Sequence, residues 1–304
     1  MNKGKAVAFV AGGAVSFGIL STFVRLAQHD GYDIPSITFS QVLTGTVLVA
    51  LLNLLPQQQW EGSRSFTLAE KGKVMLHGCC VGMISTFYFL SIRYGAASTS
   101  IVLLAQSVWM GILLECILTR SFPSALKAGA VVVILAGTIL ATGILHKGAS
   151  ISAAGVGFGL LAAVANTISV YCSGRIVVNK SPLRRTLWLS LGCLAAVSLV
   201  WGGTLWQHFD VEILWQWGWI LAVAGMVLPP LLYVRGMPVI GVGLSSIVTC
   251  LQIPAAAVFA YLVLQEEVSG WQWVGIILIT GAIVVMNTGL PGVKKNLAQI
   301  EKGY

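Results

Sequence analysis

The chain has 304 residues, of which 57% are apolar and only 9% charged, with a mean hydropathy of +0.87. Soluble domains carry about 25% charged residues, so this composition excludes a water-soluble fold and points to a protein built for lipid. The formal net charge of +8 follows from loop topology, as shown next, and is not read as nucleic-acid binding.

A spanning helix needs about 20 apolar residues. Ten segments meet that length, their ends placed to within about 2–4 residues. They run about 5–27, 34–55, 73–93, 97–119, 125–146, 151–176, 185–206, 213–234, 238–265 and 270–290. The expected fold class is therefore all-α integral membrane. The first span follows Lys3 and Lys5, as a signal peptide would. Its apolar run is too long for one, and no small-residue cleavage site follows, so it is read as a helix. The polar stretch Gln57–Lys73 is too short for a soluble domain.

With the amino terminus in the cytoplasm, every Lys and Arg except Arg25, Arg93 and Lys147 falls on the inner side. Asp30, Asp33, Asp210, Glu212, Glu266 and Glu267 fall outside. The positive-inside rule then places both termini in the cytoplasm of a cell membrane such as a bacterial inner membrane. Trp201, Trp206, Trp215, Trp217, Trp219, Trp271 and Trp273 lie near the outer boundaries, where indole anchors to headgroups.

The segment Gly95–Gln106, GAASTSIVLLAQ, returns 146 positions later as Gly241–Gln252, GVGLSSIVTCLQ. The same offset pairs Leu118 with Leu264, Gly129 with Gly275, and Thr142-Gly143 with Thr288-Gly289. The chain thus divides into a five-helix repeat over 1–146 and a second over 147–304, which ends in a short basic tail. An odd number of spans per repeat inverts the second copy in the bilayer. Inverted repeats supply two gates around one central site, the architecture of alternating access.

Ten spans, two such repeats and the stretch LQIPAAAVFAYLVLQEEVSGWQWVGIILITGAIVV (Leu251–Val285) resemble the drug/metabolite transporter superfamily, EamA type. The features that carry the resemblance are Pro254, Glu266-Glu267, Gly275, Leu278-Ile279 and Gly281, with Phe17-Gly18 in the first span. It implies a transporter of amino acids, other metabolites or drugs, with export the common direction. Gln41 stands near where many relatives carry a basic residue.

Polar side chains at membrane depth are costly unless they find partners or line a wet cavity. Gln106 and Gln252 lie at mid-span in paired positions. Each either contacts an uncharged polar solute or makes an interhelical hydrogen bond of about 0.6–2 kcal/mol. Trp109 shares a face with Gln106 and either packs or walls a cavity. Gln41, Tyr88, Asn166 and Tyr233 are further candidates, and together the seven suggest an amphiphilic cavity for a small-molecule substrate. Glu115 is a candidate for proton coupling, but its place near a span end favours a structural role. Pro229-Pro230 and Pro254 are hinges or static bends.

His77 and Cys80 share a face, yet two ligands do not complete a metal site. The six cysteines all fall in spans and imply no disulfide framework. No phosphate loop of the Walker type is present, and no cofactor is expected. His29, His77, His146 and His208 are scattered, against a lipid-modifying enzyme. A non-transporting receptor is the other alternative, and it leaves the repeat unexplained. Oligomeric state is not legible.

Overall fold

The computed structural model describes residues 1–55, 66–95, 97–144, 152–265 and 268–288. Glu266, Glu267, Arg64, His146, Lys147 and the basic tail lie outside these. The described regular structure is helical, in the order α1 (Lys3–His29), α2 (Ile34–Leu54), α3 (Leu68–Arg93), α4 (Ala97–Ala105), α5 (Ser107–Thr119), α6 (Ala125–Ala141), α7 (Ala153–Arg175) and α8 (Pro182–His208). There follow α9 (Glu212–Gln216), α10 (Gly218–Ala222), a π-turn (Val223–Val227), α11 (Leu228–Thr249), α12 (Gln252–Leu264) and α13 (Gly270–Thr288). Among the described residues eight helices are long and apolar enough to cross a membrane, α4 and α5 counting as one and Gly218–Thr249 as another; 125–141 and 252–264 are shorter apolar helices.

Local chemistry sets the ends. Asp33 caps α2 by accepting from the Ser36 amide at 3.2 Å, with Pro35 in the first turn. Thr67 and Glu70 form a capping box at α3, and Ser124 and Ser152 cap α6 and α7. Each supplies an acceptor for amides that a helix start leaves unpaired. α6, the fifth expected span, ends at Ala141, short of the expected 146, and Gly143 turns the chain at φ +64°.

The eighth and ninth spans differ from expectation. The boundary falls at Gly241, whose φ of 77° and ψ of 171° interrupt α11. That conformation is open essentially to glycine alone. Pro229-Pro230 do not break the helix; the π-turn before them absorbs the lost donors, with the Leu228 amide reaching back to the Val223 carbonyl. Pro254 sits in the first turn of α12, where its missing N–H leaves nothing unpaired.

The two broken spans are alike in detail. Gln106 and Leu251 start the second pieces with nearly the same backbone, φ −59°, ψ −21° and φ −58°, ψ −19°. Both pieces have 13 residues, and both end on a left-handed residue, Arg120 or Gln265. Ahead of the break the sequence offset of 146 holds: Thr99 and Ser245 are both buried with unpaired hydroxyls. Beyond the break the offset is 145, since Ser107 matches Gln252 and Thr119 matches Leu264. Gln106 and Gln252 are therefore one residue out of structural register. An identity-based alignment has no means to see a residue dropped inside a turn.

α1 packs along α11 and α12, while α3 packs along α7 and α8; α2 lies on α8 and α6 on α13. Gly78 and Gly192 let α3 and α8 approach until backbone meets backbone, because a Cβ on either would collide with the facing carbonyl. A central cluster of Ala, Val and Ile joins α1, α5, α6, α11, α12 and α13.

The two ends of the bundle carry opposite chemistry. At one, Lys180 meets Glu70 at 3.5 Å and Lys71 lies 4.9 Å over the Trp188 ring. At the other, Trp217 donates to Asp30 at 3.0 Å and the Tyr32 hydroxyl to Gln216 at 2.9 Å. Desolvation first, then Asp210, Glu212 and Asp30, pushes the Tyr32 pKa above its ordinary value, which keeps the phenol a donor. Trp206, Trp215, Trp219, Trp271 and Trp273 are exposed, as expected of anchors, whereas Trp217 is spent on Asp30.

Candidate functional site

α1 organises one polar region. Its residues 13, 16, 17 and 20 share a face and meet the segment around the π-turn. Gly13 admits the Tyr233 ring, and Phe17 lies 5.9 Å from that ring, centroid to centroid. The Ser16 hydroxyl donates to the Ala224 carbonyl at 2.8 Å, supplying a bond that the π-turn has displaced. A Cβ on Gly225 would collide with the Gln41 amide and with Leu20, so glycine there is what admits Gln41. On an adjoining face, Gly18 abuts the Gln252 backbone carbonyl and Ala255.

The Gln41 and Gln252 amides and the Tyr233 hydroxyl make no hydrogen bond among the described residues. None of these three side chains is sealed from solvent either. Tyr88, on α3, is similar: half-buried, its hydroxyl unpaired, and within electrostatic reach of Arg25 at the far end of α1. Polar atoms that are deep, accessible and unbonded are what a solute cavity requires.

Gln106, Trp109 and Asn166 gather elsewhere. At the break the Gln106 amide N–H bonds the Leu103 carbonyl, which leaves the Val102 carbonyl short of its partner. The Gln106 side chain fills that place, Nε2 donating to Val102 at 3.1 Å, while its Oε1 accepts from the Trp109 indole at 2.9 Å. Trp109 is 39% exposed and continues a stripe of exposed residues through Leu113 and Ile117. Asn166 donates to the Ser107 hydroxyl at 3.0 Å and so holds the second piece of the span to α7.

Glu115 pairs with Lys127 and lies against Gly241 and Gly243, at the start of the second broken span. A Cβ on Gly243 would collide with its carboxylate. His77 bonds Ser169 at 3.1 Å and Cys80 donates to the Ala165 carbonyl at 3.3 Å. Among the described residues no group of three ligating side chains forms, and the six cysteines are free. Sequence reasoning missed Ser16, Leu20 and Gly225, whose signal is only a small residue at the right depth. It also read Arg185 as one of many inner-loop cations; the structure buries it.

The length and apolar character of these helices make this a multi-pass helical membrane protein. Residues 153–288 match the EamA-like transporter family. No curated protein matches the sequence. A solved crystal structure, 15% identical, superposes with a TM-score of 0.73 over 93% of this chain and 98% of its own. At that identity the likeness is one of fold.

Proposed function

We propose that the protein is a secondary transporter or facilitator of small polar or amphiphilic solutes, working by alternating access through ten spans in two inverted five-helix units. The basic end faces the cytoplasm, both termini are there, and export is the direction that the family resemblance implies. The observation that carries the reading is an exchange of packing partners. α1 lies on the eighth and ninth spans as α7 lies on the third and fourth, and α2–α8 and α6–α13 pair first-unit helices with their second-unit counterparts. Two units related in this way can rock about a site between them.

Gln41, Tyr88, Tyr233 and Gln252 are the side chains proposed to contact the solute. The bonds made by Gln106, Trp109 and Asn166 favour a structural role for those three. Amide and phenol groups suit a neutral or zwitterionic polar group with an apolar body. The test is counterflow of labelled amino acids and organic cations in liposomes holding the purified protein. Flux is expected for at least one solute. Gln41→Ala/Gln252→Ala should abolish it while thermal stability is kept, and Gln106→Ala should spare it. Undiminished flux in the double variant would remove these side chains from the site. No flux at all would favour a receptor.

A further inference from the structure

Arg184 and Arg185 are neighbours at the start of α8, yet Arg184 is exposed and Arg185 is only 2% exposed. The buried guanidinium lies where α3, α7 and α8 meet. Its Nη2 donates to the Ser173 carbonyl in the last turns of α7, at 3.1 Å, and its Nη1 is sealed from solvent with no partner. The His77 ring, 3% exposed, is within electrostatic reach and is held by Ser169. Two described carboxylates are engaged elsewhere, Glu70 by Lys180 and Glu115 by Lys127.

A helix C-terminus offers roughly half a negative charge, so the carbonyl of Ser173 balances only part of a full cation. A buried charge without a counter-charge is strongly destabilising. Nor does topology require burial here, since Arg184 beside it serves the positive-inside rule from the surface. The planar fork of arginine, with a second prong unspent, matches a carboxylate in a bidentate manner.

We propose that Arg185, with His77 and Ser169 beside it, binds a small carboxylate anion at the basic end of the bundle. The site is closed in this conformation, so the first turn of α8 must part from the last turns of α7 to admit the anion. That the anion is the carboxylate end of a transported solute rests on the transporter reading above. The binding itself does not.

The experiment is the thermal midpoint of the purified protein in detergent, titrated with sodium acetate against sodium chloride at matched ionic strength. Acetate should raise the midpoint of the native protein beyond chloride. Arg185→Lys keeps the charge but loses the fork, and should weaken the apparent acetate affinity by roughly tenfold or more; Arg185→Gln should abolish the response. Equal midpoints in acetate and chloride would overturn the site, leaving Arg185 as a cap of α7 hydrated by buried water. An acetate response undiminished in Arg185→Lys would also overturn it, even if Arg185→Gln does not fold. Flux in liposomes is read separately, so loss of transport with the acetate response intact would count against the transporter reading and not against the site.

Discussion

The two broken spans share a backbone and differ in what closes them. At the end of the first, Glu115 and Lys127 form an ion pair lodged against Gly243. Near the end of the second, Tyr261 on α12 and Trp273 on α13 meet edge to face with ring centroids 5.9 Å apart. One end of the bundle is thus fastened by charge and the other by aromatic surface. An ion pair responds to salt and to the loss of either partner, while ring packing responds to volume. The same scaffold can therefore carry two closures of different sensitivity, and exchanging their chemistry is the way to learn what each does.

The largest effects are expected where the two broken spans touch. Gly111 faces Ser246, and a Cβ there would collide with the serine side chain. Gly111→Leu should cost about 1–3 kcal/mol through overpacking, read as a lower thermal midpoint in detergent. Gly241→Ala acts nearby on the backbone itself. Its φ of +77° strains any side-chain-bearing residue, so about 1–3 kcal/mol is expected. An unchanged midpoint in both variants would mean that the two spans do not depend on this crossing.

The two closures should separate next. Glu115→Gln leaves Lys127 half-buried without its charge partner, at about 1–2 kcal/mol. In protein whose other cysteines are replaced by alanine, maleimide labelling of Cys116, one residue along α5, should speed up several-fold. High salt should do the same to the native protein. Trp273→Leu should leave Cys116 labelling and its salt response unchanged, because that closure holds no charge. If Trp273→Leu shifts Cys116 labelling as much as Glu115→Gln does, the two closures are not independent.

The apolar helices were legible in the sequence, but the direction each side chain takes around its helix was not. Composition and charge were enough for the apolar segments, and the resemblance carried by Pro254 and Gly275 led to the family. Gln41 and Gln106 show the limit: both are glutamines at depth in apolar helices. One is left unbonded against Gly225 on a neighbouring element. The other is consumed by a carbonyl that its own helix break sets free. Neither fact is local to the residue, and the π-turn and the one-residue register change that create them have no pattern in composition. Arg185 is a parallel case, since the sequence assigns its charge to a side of the membrane but not to the inside of the bundle.

The smallest effect sharpens the comparison most. If Gln106 serves the break, Gln106→Met removes two hydrogen bonds, one to the Val102 carbonyl and one from the Trp109 indole. Hydrogen bonds between side chains in membranes average about 0.6 kcal/mol, and Trp109 is partly exposed, so the midpoint should fall only slightly. The indole N–H loses its acceptor, so Trp109 emission should shift to shorter wavelength in protein lacking the other tryptophans. Leu251, which holds the matching place in the second break, has no side-chain amide to lose. Leu251→Gln tests the reverse, because there the break already satisfies itself through hydrogen bonds from the Cys250 N–H to the Ile247 carbonyl and from the Leu251 N–H to the Val248 carbonyl. A glutamine added at that position should bring no gain in stability. A gain equal to the loss at Gln106 would show that both breaks lack the same bond, and that the first merely happens to supply it.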